Sequence, residues 1–363
     1  MNSRWLKIKK VLKAEKARGF LVINSEDSGQ PGTKYLSGFS GSSSVILISD
    51  KTKILITDSR YTEQARNEAA GFEIIILKSD ETTGAILKNR IARLKIKTIM
   101  IDGGATSYAS VENIKKHLPK LKIISKNGVL QELRIVKDPQ EIALLKKAAQ
   151  IACRAFLKFL TEIKVGVSER TLADKLDSLC KQEGADNMAF DTIIASGKNG
   201  ALPHARPSNK KLKKGELVVI DWGVRYKGYV SDMTRTVAIG KISPKLREMY
   251  ESVREAQEAG AEKAKAGMTG SELDAVCRDI LNKKGYRKYF GHATGHGIGM
   301  EIHELPVIAP NCSDKLLSGS VITCEPGVYI PGIGGVRIED SLILTKHGNI
   351  NLSRSLTKKL LIL

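Results

Sequence analysis

No run of about 18 apolar residues occurs in the chain, so no transmembrane helix and no membrane partner are expected. The basic N-terminus (Arg4, Lys7, Lys9, Lys10) lacks the continuous apolar core of a signal peptide, which argues against export. No C-x-x-C pair occurs either. The five cysteines, Cys153, Cys180, Cys277, Cys312 and Cys324, are odd in number and dispersed, which reads as reduced thiols in a cytoplasmic protein. Also missing are a zinc knuckle, an aromatic-basic ribonucleoprotein motif and a dense basic tail. The net charge of +20 is spread over lysines from end to end, as at Lys7-Lys9-Lys10, Lys146-Lys147 and Lys283-Lys284. It is read as a solvated surface, and nucleic acid is not expected as a partner.

What is present is enough for two domains, each with its own core, in 363 residues. Up to about residue 132 the pattern alternates helix and strand. Trp5, Ile8, Val11 and Leu12 line one face of an opening helix. Apolar runs follow at 20–23, 44–48, 54–57, 72–77 and 98–101, with helical stretches near 61–70, 83–94 and 110–118 and a polar loop at 25–32. That is an α/β domain. After a boundary near Val136, Asp138-Pro139-Gln140-Glu141 gives a helix start: an N-cap Asp, Pro at the first helical position and Glu three after the cap. This helix is expected to reach about Leu160, and Ser168 caps another reaching Gln182. Gly166, Leu172 and Gly184 recur as Gly267, Leu273 and Gly285 at a constant offset, and His204-Ala205-Arg206-Pro207 is echoed by His303-Glu304-Leu305-Pro306. The repeat suggests a duplicated unit closed about a pseudo-twofold axis.

Two acidic pairs flank two turns in this region. Asp221 and Asp232 sit on expected strands from Glu216 to Gly223 and Val230 to Ile239; Glu325 and Glu339 sit on Val321 to Ile330 and Val336 to Thr345. Facing residues of an antiparallel hairpin have numbers that sum to a constant. With Lys227-Gly228 as the turn, Asp221 and Asp232 are diagonal neighbours on one face; with the turn one residue earlier they face each other. Glu325 and Glu339 are equidistant from Gly332. Like charges so placed repel unless a cation sits between them. His296 lies between the pairs, and glycines around His292 and His296 argue for a loop or strand rather than a helix. His117 and His347 are read as satisfied core histidines. Four carboxylates and one imidazole make a hard, oxygen-rich set suited to Mn²⁺, Co²⁺ or Fe²⁺ and tolerant of Zn²⁺. Five ligands exceed one tetrahedral ion, and two ions about 3.5–4 Å apart would use them all.

The spacing of Asp221, Asp232, His296, Glu325 and Glu339 resembles that of the pita-bread metallopeptidases: methionine aminopeptidase, Xaa-Pro aminopeptidase and prolidase. Ala201-Leu202-Pro203-His204, Asp232-Met233-Thr234-Arg235-Thr236, Thr294 to Gly299, Ile302-His303-Glu304, Glu325-Pro326-Gly327 and Arg337-Ile338-Glu339-Asp340 match it. Tyr35 to Ser42 and Thr57-Asp58-Ser59-Arg60-Tyr61 look like the creatinase-type domain of the proline-specific branch, which methionine aminopeptidases lack. The resemblance implies an α+β protein, with a creatinase-like α/β domain over 1–132 and a pseudo-twofold pita-bread catalytic domain over 133–363.

It also implies a chemistry. Asp221 would hold one metal ion and His296 with Glu325 chiefly the other, with Asp232 and Glu339 bridging two divalent ions, Mn²⁺ preferred and Co²⁺, Zn²⁺ or Fe²⁺ the alternatives. A metal-bridging water or hydroxide would attack the scissile carbonyl, and Glu325 would accept the proton. His204 and His303 would orient the peptide and stabilise the tetrahedral intermediate, while His292, Tyr329 and Arg337 would line the site on the proline side. The expected substrates are peptides with proline at the second position, cut by a cytoplasmic, homodimeric metallo-aminopeptidase (Xaa-Pro aminopeptidase). Xaa-Pro dipeptidase is the alternative, and a non-catalytic binding protein on the same fold is the alternative of another class. Two departures stand out: Ala293 replaces a glycine common after the first histidine, and Trp222 sits where the family often has a smaller residue. Trp222 and Cys324 are expected to point away from the acids, into the core.

Overall fold

A computed structural model of the chain describes residues 2–26 and 31–363. The polar loop expected at 25–32 falls partly on 27–30, outside the described residues. The chain divides into two compact units, Met1–Leu133 and Arg134–Leu363.

The first unit follows the alternation read from the sequence: α1 (Asn2–Ala14), β1 (Gly19–Asn24), α2 (Gly32–Ser37), β2 (Ser44–Ser49), β3 (Lys53–Thr57), α3 (Thr62–Glu68), β4 (Glu73–Ile76), α4 (Thr83–Arg93), β5 (Thr98–Asp102), α5 (Tyr108–His117), β6 (Lys122–Lys126) and α6 (Val129–Arg134). Its six strands form one sheet in the order β4-β3-β2-β1-β5-β6. Only β2 runs antiparallel to its neighbours; β1–β5, β3–β4 and β5–β6 pair in parallel. Parallel strands covered on both faces read as unbroken apolar runs, and these do. Leu21, Leu47, Ile54, Ile56, Ile99 and Ile101 pack on one face against Leu87 and Ile91 of α4 and Ile114 of α5.

The second unit opens with α7 (Pro139–Phe159), held by the expected Asp138/Glu141 capping box, and α8 (Glu169–Gln182), capped by Ser168. Short strands β7 (Asn187–Met188) and β8 (Ile193–Ser196) lead to the first acidic hairpin: β9 (Leu217–Trp222), β10 (Val224–Tyr226), β11 (Tyr229–Val230) and β12 (Met233–Ala238). Helices α9 (Pro244–Lys263) and α10 (Gly270–Lys283) precede β13 (Gly295–Gly297) and β14 (Glu304–Ile308). The second acidic hairpin is β15 (Val321–Cys324), β16 (Gly327–Ile330), β17 (Gly334–Arg337) and β18 (Asp340–Leu344), followed by β19 (Asn349–Asn351). The repeat is visible as geometry. Gly166 and Gly267 both take left-handed φ (87° and 95°), as do Gly184 and Gly285 (102° and 84°). Ser168 and Thr269 both cap the helix that follows. In one half α7 and α8 cover β9 and β12; in the other α9 and α10 cover β15 and β18. The halves join where the Glu339 N–H donates to the Thr234 carbonyl (3.1 Å) and Thr236 Oγ1 to that of Arg337 (2.9 Å).

Candidate metal centre

Register decides where the acids fall. In the first hairpin Thr234 faces Asp221 and Tyr226 faces Tyr229, so one register runs through the Lys227-Gly228 turn, and Asp232 is the diagonal neighbour of Asp221. Lys227 and Gly228 both have positive φ (48° and 88°), the geometry of the two-residue hairpin turn that matches strand twist. Gly223, opposite Asp232, has no room for a side chain: a Cβ there would lie 2.1 Å from the Ser231 carbonyl oxygen. In the second hairpin Cys324 faces Asp340 and Gly327 faces Arg337, a register that puts Glu325 directly opposite Glu339.

The two hairpins bring one oxygen each of Asp221, Asp232 and Glu339 within 4.8 Å of one another. His296 Nε2 lies 3.2 Å from Glu325 Oε1 and 3.6 Å from Asp232 Oδ2, so Asp232 is common to the carboxylate trio and the imidazole. His296 sits on β13 as a strand residue, and the glycines beside it are needed for close approach. A Cβ at Gly295 would meet the Thr323 carbonyl oxygen at 2.1 Å, and one at Gly297 that of Leu305 at 2.2 Å. His296 Nδ1 is 3.1 Å from the Gly297 carbonyl, which leaves Nε2 facing the acids.

Electrostatically this is an arrangement that asks for a cation. Asp221 Oδ1 and Glu339 Oε1 are buried and have no hydrogen-bond partner among the described residues. Burial first, then repulsion from neighbouring carboxylates, pushes Asp232 and Glu339 well above the usual carboxylate range; burial also raises Asp221, against the pull of Arg337. Burial would raise Glu325 too, but hydrogen bonding and charge from His296 outweigh it and hold it low. Burial opposes the His296 imidazolium, yet Glu325 and Asp232 bring it up to about 9. Four carboxylates and one imidazole fit hard divalent cations, and bound cations would satisfy both orphaned oxygens.

Around this cluster runs a polar network. Arg337, 3% exposed, donates from Nη2 to Asp221 Oδ2 (2.5 Å), from Nη1 to Tyr329 Oη (2.7 Å) and the Pro203 carbonyl (3.2 Å), and from Nε to Thr234 Oγ1 (3.1 Å). Thr234 Oγ1 in turn donates to Glu339 Oε2 (2.7 Å), and Thr323 Oγ1 to Glu325 Oε1 (3.0 Å). Tyr329 Oη is 3.1 Å from His292 Nε2. Burial lowers the pKa of His292, and burial with the charge of His296 lowers that of His303. His303 is exposed, with its ring centroid 4.4 Å from that of His296. His204 is exposed on the turn after Gly197–Ala201.

Trp222 points into the core, stacked on Phe156 (centroids 4.4 Å) with Nε1 donating to the Ala152 carbonyl (3.2 Å). Cys324 is likewise buried, its Sγ 3.9 Å from that of Cys277. His117 and His347 depart from the core reading. His117 is half-buried beside Gly84, with Nδ1 2.9 Å from the Asn113 carbonyl, and His347 is exposed in the turn before β19. Both lie at element ends, where an imidazole stays wet.

Sequence reasoning passed over several supporting residues. Thr234 and Thr323 lie two positions from Asp232 and Glu325, and strand alternation alone would have placed them on the same face. Buried Asp274 accepts from Thr294 Oγ1 (2.7 Å) and from Arg278 Nη2 (2.8 Å). Arg278 also donates to the His292 carbonyl (2.9 Å), fixing the stretch that leads to His296. Glu169, at the start of α8, accepts from the N–H and hydroxyl of Ser196 and of Ser208 and from Asn199 Nδ2, pinning the ends of the His204 loop. Glu304 does the same for the His303 loop. Nothing local in the sequence marks an acid on a helix or loop as an anchor.

Residues 143–346 match the model of metallopeptidase family M24, and residues 4–136 that of the Creatinase/Prolidase N-terminal domain. The structure is similar to that of Xaa-Pro dipeptidase from Bacillus anthracis, at 40% identity, 99% of each chain and a TM-score of 0.95. It is also similar to that of X-Pro aminopeptidase from Thermotoga maritima MSB8, at 40% identity, 97% of this chain, 100% of that one and a TM-score of 0.91. Among sequences, the Xaa-Pro dipeptidase of Pyrococcus furiosus is 42% identical over 323 residues, 88% of this chain and 90% of its own.

Proposed function

The chain belongs to metallopeptidase family M24, and from that premise we propose that it hydrolyses the peptide bond preceding proline with the help of two divalent cations. One observation carries the reading: partly buried Asp221 and buried Asp232 and Glu339 converge beside the His296–Glu325 pair, with two carboxylate oxygens unpartnered among the described residues. Asp221, Asp232, His296, Glu325 and Glu339 are the proposed ligands. Bound there, the cations supply Lewis acidity at the scissile carbonyl and lower the pKa of the attacking water.

The rest is done by the protein. Glu325, ionised and oriented by Thr323 Oγ1, accepts the proton of the attacking water. His204 and His303, as imidazoles on the open side, donate hydrogen bonds to the oxygen that gains charge. Tyr329 and His292 wall the proline side, where recognition rests on shape because proline has no N–H to bind. Arg337 holds Asp221 in place and completes that wall. Residues 133–363 are the proposed catalytic domain and 1–132 the proposed creatinase-like one. Mn²⁺ is the proposed working cation, on the hardness of the donor set, and a cytoplasmic homodimer the proposed form. No helix among the described residues is long and apolar enough to cross a membrane.

Substrate length separates two readings. The two enzymes share every proposed ligand; an Xaa-Pro aminopeptidase, the name of the Thermotoga maritima relative, is the leading reading, and an Xaa-Pro dipeptidase, the name of the Bacillus anthracis and Pyrococcus furiosus relatives, is the alternative. Mn²⁺-loaded protein is given an Xaa-Pro dipeptide and an Xaa-Pro-Xaa tripeptide, with and without chelator. Chelator-sensitive cleavage of the tripeptide supports the aminopeptidase, and cleavage of the dipeptide alone the dipeptidase. Cleavage of neither at full metal occupancy removes the peptidase reading and brings forward the binding protein.

A further inference from the structure

His303 makes no ring hydrogen bond among the described residues, and its one ring contact is with His296. Its place is therefore set by its loop, and the loop is held from beneath by the next residue. Glu304, 4% exposed, turns its carboxylate back under the chain. Its Oε1 accepts the N–H of Met300 (3.0 Å) and of Glu301 (3.2 Å). A Cβ at Gly299 would lie 2.3 Å from Glu304 Oε2, so the seat exists only because residue 299 is glycine. The carboxylate is gripped from the far side by two cations of the segment leading into α7. Lys137 Nζ donates to Oε2 (3.0 Å), and Arg134 Nε stands 3.2 Å from Oε1 while its Nη2 donates to Glu301. All three side chains of the Glu304 cluster are buried, the Lys137 ammonium as deeply as the carboxylate it meets.

A buried ammonium–carboxylate pair is a poor stability device, because the desolvation penalty consumes most of the attraction and well-packed apolar residues do as well. What such a pair does supply is a fixed position. The base of the same loop is tied to the first acidic hairpin: the Val230 N–H donates to the Gly299 carbonyl (2.9 Å) and Arg225 Nη1 to that of Met300 (2.8 Å). The loop is thus clamped at both ends, and His303 rides on it.

We propose that Glu304, locked by Lys137 and Arg134, is a positioning residue that sets His303 against the reacting carbonyl. This rests on the peptidase reading above only for what His303 does; the clamp itself can be tested without it. In Lys137→Met the carboxylate loses one of its two buried cations, the one that donates to Oε2. Amide hydrogen exchange at residues 300–304 is then expected to accelerate about tenfold or more, with exchange in α8 and β12 unchanged. On an Xaa-Pro peptide, Lys137→Met is expected to lower kcat about 10–100-fold, the usual cost of losing an outer-shell partner, with KM within about twofold. In a His303→Ala background the same substitution is expected to change kcat by less than about twofold, because its effect passes through His303. Lys137→Arg restores most of kcat. Equal, additive losses in both backgrounds, or unchanged exchange at 300–304, overturn the proposal. An inactive wild type would remove the peptidase reading alone, since the exchange experiment still reports on the clamp.

Discussion

Arg337 is the residue at which the electrostatics of the centre are most exposed to test. Replacing it by Met keeps most of the aliphatic volume and removes a guanidinium that contacts Asp221, Tyr329, Thr234 and the Pro203 carbonyl. Both partners of the Arg337–Asp221 pair are largely buried, so what is left behind is a carboxylate with one oxygen already orphaned and the other newly so. Breaking a buried pair from one side costs about 3–5 kcal/mol. For a cooperative unit of this size that lowers the melting temperature by about 6–20 °C. Arg337→Lys keeps a charge near Asp221 but not the fork, losing the hydrogen bonds to Tyr329, Thr234 and the Pro203 carbonyl at about 1 kcal/mol each. Its melting temperature should fall between those of wild type and Arg337→Met. Because Asp221 is then held less firmly, kcat/KM on an Xaa-Pro peptide should fall about 10–100-fold in Arg337→Met, with Arg337→Lys again between. Calorimetry on the metal-free protein and steady-state kinetics on the metal-loaded protein decide it. An Arg337→Met variant that melts and turns over like wild type would refute the view that Arg337 holds Asp221.

Three further outcomes are expected. Glu339→Gln, which removes one of the mutually repelling charges, should abolish cleavage and lower bound metal, yet melt higher than wild type in excess chelator; metal analysis and thermal melts check both. Trp222→Ala, which deletes the fully buried ring stacked on Phe156, should cost about 3–5 kcal/mol in denaturant titrations, while the folded fraction keeps near-normal KM because the ring faces away from Asp221. For Glu169, burial raises the pKa but hydrogen bonds from Ser208, Ser196 and Asn199 outweigh it and hold the carboxyl below its ordinary 4.5. A lowered folded value gives stability that is present above pH 4.5 and lost as pH falls through the folded value. Glu169→Gln should therefore be about 1.5–3 kcal/mol less stable at pH 7, with the gap to wild type closing below pH 4.5; urea titrations at both pH values measure it.

Much of this centre was legible as arithmetic on a hairpin. Glu325 and Glu339 are equidistant from Gly332, and the register keeps that symmetry through two strand pairs. For Asp221 and Asp232 two registers were open, and the choice fell to Lys227-Gly228, whose positive φ values suit a two-residue turn. Alternation sent Trp222 and Cys324 into the core, and the Asp138/Glu141 capping box marked where α7 begins. Less accessible was anything that depends on partners distant in sequence. Arg337 could be named from a motif, but that its guanidinium grips Asp221, 116 positions away, follows only from the folded chain. Glu169 and Glu304 look like ordinary surface acids until five donors close on one and two cations on the other. His117 and His347 read as core residues, but each sits at the end of an element, which keeps it out of the interior.

The most direct measurement is a metal titration of the metal-free protein, following bound Mn²⁺ and cleavage of an Xaa-Pro peptide beside a matched Xaa-Ala peptide. Activity on the Xaa-Pro peptide alone, rising until two ions are bound per chain, is the expected result. A protein that fills both positions without cutting, or that cuts the two peptides equally, would contradict it.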